Sequence, residues 1–211
     1  MSNLVIVGAG GFGLEVAGYA EDVIRSDKVQ LTIKGFLDDT KPQGARHAGY
    51  PVLGTTEIAA EPGSLYVIAV GEPAQRETLA QKLAAKGAQF ASILHPTCYV
   101  AGTAKIGAGV IIAPFAFVGP EAVIGNHAVM NVFASAGHEA LIGDYAVLSP
   151  YAALHGNARL GDGAFMGSHA CVTGNISLGE RAVLAAGSVA YNSVPPGVTA
   201  IGNPAAFRKI S

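Results

Sequence analysis

The chain is predicted to fold as a small α/β domain, residues 1–93, followed by an all-β, left-handed parallel β-helix with a C-terminal tail, residues 94–211. Three observations carry that reading. Sixteen consecutive six-residue units run from Leu94 to Val189 without an insertion. Before them, apolar runs alternate with a glycine loop and helical patterns, which is the grammar of a parallel α/β sheet. Half of the residues are hydrophobic and 13% are charged, so apolar material is ample for both cores.

Asn3 to Val7 is a short apolar run, read as the first strand, and it leads into Gly8-Ala9-Gly10-Gly11-Phe12-Gly13. Leu14, Val16, Ala17 and Tyr19 then continue a helical pattern as far as Ile24. A second strand, Leu31 to Leu37, ends at Asp38-Asp39, and a third, Leu65 to Val70, ends at Gly71. A helix from Pro73 to Lys86 precedes an apolar segment from Phe90 to Leu94. No low-complexity linker follows, so the two domains are expected to join directly through His95-Pro96.

In the repeats, position one is Leu, Val, Ile or Met in fifteen units of sixteen, position five is Ala in twelve, and position two is Gly in eight. A period of six fits neither an amphipathic helix nor a half-buried strand. It fits a coil of three short strands and three tight corners, so that 18 residues complete one turn of a triangular prism. The branched residue fills the prism, Ala sits where only a small side chain fits, and Gly is expected to supply backbone freedom beside the turn. Sixteen units give a little over five coils, rising about 4.8 Å each. A rod with no activity is the alternative that the repeat alone leaves open.

Composition excludes several classes. A net charge of −2 with scattered Lys and Arg lacks the basic face of a nucleic-acid binder. No apolar stretch approaches the roughly 18 residues of a membrane span, and Met1 to Gly8 lacks the basic start of a signal peptide. A cytoplasmic location is expected. Cys98 and Cys171 lie far apart, and Cys98 takes the small position five, so both read as packing residues rather than a disulfide or metal pair.

Gly8, Gly10 and Gly13 match a dinucleotide fingerprint, with Asp38 at a suitable distance to meet a ribose hydroxyl. Taken literally this is an NAD-dependent oxidoreductase, yet only one nucleotide-binding half is present. The same amides and helix N-terminus can take the diphosphate of a nucleotide sugar on Gly8, Gly10, Gly11, Phe12 and Gly13, while Asp38 and Asp39 accept from ribose or base. A loop with no ligand stays open as well.

The one unit that loses its bulky first residue is Ala136-Gly137-His138-Glu139-Ala140-Leu141. The repeat is disturbed where it presents an imidazole beside a carboxylate. Acyl transfer to an amine or alcohol needs such a base, because the nucleophile must shed a proton as its bond forms. His138 can take that proton, and Glu139 or a backbone carbonyl can orient the ring. His155 falls one coil on, beside Gly137, where it contacts the base or acceptor or is simply a surface residue. Asn131 replaces the usual small residue at position two. His95 is read as structural, His47 as solvated, and His127 and His169 as corner residues facing solvent or a neighbouring subunit. A zinc hydrolyase on the same scaffold needs three converging histidines, and no spacing here repeats in register, so no metal is expected.

Taken jointly, the motifs Gly8-Ala9-Gly10-Gly11-Phe12-Gly13, Gly35-Phe36-Leu37-Asp38-Asp39, Ile93-Leu94-His95-Pro96, Gly137-His138-Glu139 and Ile201-Gly202-Asn203-Pro204-Ala205 make the whole chain resemble one family. It is that of the sialic acid O-acetyltransferase-like and nucleotide-aminosugar N-acetyltransferases, hexapeptide-repeat proteins in which a Rossmann-like domain precedes a left-handed β-helix. The resemblance implies acetyl transfer from acetyl-CoA to the amine of a nucleotide-linked amino sugar, a surface-glycan precursor, with O-acetylation of a sialic acid-like sugar as the alternative. It implies His138 as base, Glu139 as its assistant and Asn131 near the acceptor. It further implies a homotrimer whose donor groove runs between β-helices, lined by Ser168, Ala186 and Gly187 and by the tail residues Gly202, Asn203, Pro204 and Arg208. One departure concerns the nucleotide: family members acting on bacillosamine precursors often carry His where this chain has Phe12.

Overall fold

The computed structural model describes residues 2–26 and 29–208, the side chain of Arg208 excepted. Two compact units emerge, Met1–Pro96 and Thr97–Ser211.

The first unit is built on a six-stranded sheet. Its strands are β1 (Ser2–Val7), β2 (Leu31–Leu37), β3 (Arg46–His47), β4 (Tyr50–Gly54), β5 (Ser64–Ile68) and β6 (Gln89–Phe90), in the order β3-β4-β2-β1-β5-β6. β1 pairs in parallel with both β2 and β5 and sits at the centre. That explains its unbroken apolar run, since Leu4, Val5, Ile6 and Val7 are all buried. Helix α1 (Gly11–Arg25) turns Gly13, Val16, Ala17, Ala20 and Val23 inward, the i, i+3, i+4, i+7 stripe of a core-facing helix. Helix α2 (Pro73–Ala84) opens with Pro at its start and a Glu72 side chain that accepts from the Gln75 N–H at 2.7 Å. His95 Nε2 meets Asp22 Oδ2 at 3.0 Å and packs edge-on to Tyr19, the structural role expected of it.

The β3–β4 hairpin has no counterpart in the sequence-based expectation. Its two-residue turn is Ala48-Gly49, with φ of +47° and +79°, and Ala is not a residue that advertises a turn of this kind.

The second unit is the parallel β-helix. Two-residue strands recur every 18 residues, for example Ser135–Ala136, Ala153–Leu154 and Cys171–Val172, each pairing in parallel with the next coil. Position one and position five are the core: Val118, Met130, Leu148 and Val172 are fully buried, as are Ala116, Ala134, Ala152 and Ala170. The role expected of the Gly at position two is corrected. None of these glycines has positive φ; that conformation falls at position four, held by Phe115, Glu121, Phe133, Glu139 and their equivalents. Gly is required at position two by close approach, because a Cβ at Gly137 would stand 2.5 Å from the Gly156 nitrogen. Beyond the coils, Thr199–Gly202 and Ala205–Arg208 form an antiparallel hairpin that extends the sheet beside Val183–Leu184.

Candidate functional site

In the first unit the glycine loop joins the C-terminal end of β1 to α1. Its glycines divide into two kinds. A Cβ at Gly8 would stand 2.8 Å from the Ala69 carbonyl oxygen, and one at Gly13 would overlap the Gly8 carbonyl, so packing forbids side chains at both. At Gly10 and Gly11 a Cβ meets nothing within 4 Å. Nothing inside the protein requires glycine there, which suits a backbone kept bare for an approaching ligand. Gly10 is also the N-cap of α1 and supplies no side-chain cap, and no acidic residue lies in the first turn. The positive end of the helix dipole is therefore not neutralised from within the helix.

Asp38 closes the loop from β2. Its Oδ2 accepts from the Ala9 N–H at 2.7 Å, and its Oδ1 from the Thr40 N–H at 2.8 Å, the Thr40 hydroxyl at 2.6 Å and the Lys41 N–H at 3.1 Å. Burial works to raise its pKa, and the hydrogen bonds from Thr40, Ala9 and Lys41 outweigh it, so the carboxyl is held below its ordinary range. Asp39 accepts from the Thr56 N–H at 2.7 Å and hydroxyl at 2.8 Å. Both carboxylates thus have protein partners that shape the loop. They also line a cavity of about 220 Å³ with Gly8, Thr40, Thr56 and Gln75. A second one of about 400 Å³ opens beside α2 against Asp39, Gln75 and Thr78. The smaller lies where the chain leaves β1 and β2, the crevice in which open α/β sheets bind ligands. Thr56, Gln75 and Thr78 carry no sequence signal, because polar residues on an exposed helix face or a loop are ordinary. His47, expected to be solvated, is half-buried, with Nε2 3.1 Å from the Gly10 carbonyl oxygen and its ring edge-on to Phe36.

In the second unit His138 and Glu139 share an exposed corner, with Nδ1 3.1 Å from Glu139 Oε2. The corner is held by its backbone. The Glu139 N–H donates to the Pro120 carbonyl at 2.8 Å, and the His138 carbonyl accepts from Asn157 at 2.9 Å. A carboxylate against Nδ1 favours the Nδ1–H tautomer and leaves the Nε2 lone pair as the basic site. Gly156, one coil on, shapes this corner, and nothing in the sequence singles it out. A Cβ there would stand on His138 Nε2 and 2.6 Å from Cε1. The glycine thus clears the floor on which the imidazole lies.

The other expected site residues separate into groups. His155 precedes Gly156, and its Nε2 lies 3.4 Å from Cys171 Sγ, whose thiol burial pushes up in pKa. Asn131 is half-buried and its Nδ2 donates to the Leu148 carbonyl at 3.2 Å. Ser168, Ala186 and Gly187 come together on the corner that follows Phe165–Met166 and Val183–Leu184, where the Ser168 carbonyl accepts from the Gly187 N–H at 2.8 Å. Gly202 joins them, its N–H donating to buried Ser188 Oγ at 2.9 Å, and the Asn203–Pro204 turn follows. The Arg208 side chain lies outside the described residues. This group stands on a different corner of the prism from His138, because the strands that lead to the two corners belong to different sheets. Among the described residues no group of three or more His, Cys, Asp or Glu is arranged to hold a metal ion, and no helix is long and apolar enough to cross a membrane.

Comparison with known proteins bears on both units. The family described as PglD N-terminal domain matches residues 3–83. UDP-N-acetylbacillosamine N-acetyltransferase of Bacillus subtilis (strain 168) is 35% identical over 116 residues, 53% of this chain and 51% of that protein. The aligned part thus spans about half the length of that curated relative. Solved structures match along the full chain. The acetyltransferase domain of PglB from Neisseria gonorrhoeae, in complex with acetyl coenzyme A, is 31% identical with a TM-score of 0.89, covering 98% of this chain and 99% of that one. A mutant of perosamine N-acetyltransferase from Caulobacter crescentus, in complex with CoA and GDP-perosamine, is 26% identical with a TM-score of 0.89, covering 100% of this chain and 98% of that one.

Proposed function

From the premise that the chain belongs to the nucleotide-aminosugar N-acetyltransferases, two-unit proteins with a hexapeptide-repeat β-helix, we propose that it moves the acetyl group of acetyl-CoA to the amine of a nucleotide-linked amino sugar. The observation that carries this reading is the imidazole–carboxylate pair of His138 and Glu139, set on an exposed corner that Gly156 clears. In the proposed reaction the neutral amine nitrogen attacks the thioester carbonyl carbon and its proton passes to His138 Nε2. Glu139 holds the ring and stabilises the imidazolium. The tetrahedral intermediate collapses by breaking the carbon–sulfur bond, and the departing thiolate takes the proton back from His138. Base, amide product and free thiol then balance with no metal in any step.

The acceptor nucleotide is assigned to the glycine loop. Its diphosphate lies against the amides at Gly10, Gly11 and the start of α1, between Phe12 and the Asp38–Asp39 corner. Asn131 and His155 are the β-helix residues assigned to the sugar. Ser168, Ala186, Gly187 and the turn at Gly202, Asn203 and Pro204, with Arg208, are assigned to the donor. His138 and the donor group occupy different corners of one prism, so a complete site calls for a second copy to bring its donor corner to this base. Three flat sides closing a ring give a homotrimer, which we place in the cytoplasm.

A thermal-shift comparison of UDP-, dTDP- and GDP-linked amino sugars, acetyl-CoA and NAD tests the assignment, since a ligand that binds only the folded state raises its melting temperature. The reading requires stabilisation by acetyl-CoA and by at least one nucleotide amino sugar. Stabilisation by NAD alone would replace it with a redox function.

A further inference from the structure

We infer that an aromatic ladder on the β-helix ends in a stacking slot for the adenine ring of the acetyl donor, with His169 as the wall of that slot. The inference rests on the acetyl-CoA reading above and adds a residue and a subsite to it. Phe115, Phe133, Tyr151 and His169 occupy the same position on successive coils. Their ring centroids are 5.0, 4.8 and 4.8 Å apart, and adjacent planes lie within 16°, 9° and 3° of parallel. The four residues share one backbone conformation, φ of 60°, 59°, 62° and 58°. Each corner is tied to the coil before it: the Tyr151 N–H donates to the Val132 carbonyl at 3.0 Å and the His169 N–H to the Pro150 carbonyl at 3.0 Å.

The backbone builds this corner once more, at Gly187. Its φ is 68°, and its N–H donates to the Ser168 carbonyl at 2.8 Å, in register with the rungs before it. The side chain is what stops. A Cβ at Gly187 would meet no heavy atom within 4 Å. Gly109, on another corner, is different: His127 leans over it, with Cε1 2.6 Å from where a Cβ would stand. The next coil therefore offers no side chain to the outer face of the exposed His169 ring, and the ladder's pitch leaves room for one further ring.

The occupant of such a place is planar, heteroaromatic and held from outside, gaining dispersion and quadrupole attraction from the imidazole face. The acetyl donor carries an adenine at the end of the molecule remote from its thioester. The slot's two walls, His169 and Gly187, directly follow Ser168 and Ala186, residues assigned to that donor, and the next residue, Ser188, accepts from the Gly202 N–H at 2.9 Å. The base of the acceptor nucleotide is the other ring in the reaction, and the test separates the two.

Steady-state transfer is compared for wild type, His169→Ala and Gly187→Phe, with acetyl-CoA and with acetyl-4′-phosphopantetheine, which has the thioester arm and no adenosine. Phe is compatible with the corner at residue 187, because Phe115 and Phe133 hold the same φ. Loss of one base–aromatic stack predicts a KM for acetyl-CoA raised about 10-fold in each variant, and in His169→Ala no matching rise for the truncated donor. In His169→Ala an equal rise for both donors, a rise confined to the nucleotide sugar, or no rise at all overturns the slot. Calorimetry with CoA separates this failure from the larger one: wild-type protein that binds no CoA sinks the donor reading and the slot together, whereas CoA binding indifferent to both substitutions sinks the slot alone.

Discussion

Replacing Gly156 with Ala adds a single methyl group beneath His138, and the geometry predicts a lesion in catalysis rather than in folding. The new Cβ would stand 2.6 Å from the imidazole Cε1 and closer still to Nε2, where ordinary contact begins at 3.4 Å. Backbone torsion is no obstacle, as Gly156 is not among the positive-φ residues. The ring must therefore retreat by about 1 Å, and it can, because the His138 side chain is 63% exposed. Stability should stay within about 1 kcal/mol of wild type, the scale of a Gly-to-Ala change at a compatible site. Swinging the ring by that distance breaks its 3.1 Å contact with Glu139 and moves Nε2 off the path of the amine proton. A misplacement of about 1 Å costs on the order of 10²-fold in kcat. Thermal unfolding and steady-state acetyl transfer on the same preparation read both quantities. A variant that keeps its melting temperature and turns over within about threefold of wild type would refute the placement of the base above Gly156.

Three further outcomes follow from the same geometry. Gly11→Val has space in the free protein, so the fold should persist while KM for the nucleotide sugar rises far more than KM for acetyl-CoA; equal rises would point to misfolding and no rise would remove the loop from the acceptor site. Asp38 holds the glycine loop with its carboxyl depressed below the ordinary value of 3.8, so its contribution to stability is complete above that pH and is lost as pH falls through the depressed value. Urea unfolding in acid should show this loss in wild type and not in Asp38→Asn. Light scattering should give about 64 kDa for three chains of 21.3 kDa each, and an active monomer would remove the shared site.

The β-helix was legible because its period is a packing constraint. A side chain at position one has nowhere to go but the interior, and Ala at position five fits only a tight corner, so Val118 and Ala134 announce the prism wherever they recur. What the period did not tell is why Gly follows the core residue. The cause is the backbone of the next coil, which lies 18 residues away and is invisible to local rules. Gly156 escaped notice for the same reason, since its partner His138 is a full coil distant. His138 and Glu139 stood out by breaking the pattern. In the α/β unit the central strands were clear from their apolar runs, whereas the β3–β4 hairpin was hidden by an Ala in its turn. Asp38 and Asp39 were visible as a pair after a strand, and their bonds to Ala9, Thr40 and Thr56 became visible only when the loops were folded together.

The central claim is tested most directly by following both products of one reaction: thiol released from acetyl-CoA and acetyl gained by nucleotide-linked amino sugars, the latter located by mass spectrometry. Acetylation on nitrogen of at least one such sugar, matched mole for mole by thiol, is expected from wild type, and His138→Ala should reduce it by on the order of 10²-fold or more. Transfer to a sugar hydroxyl in place of the amine, or undiminished transfer by the His138→Ala protein, would contradict it.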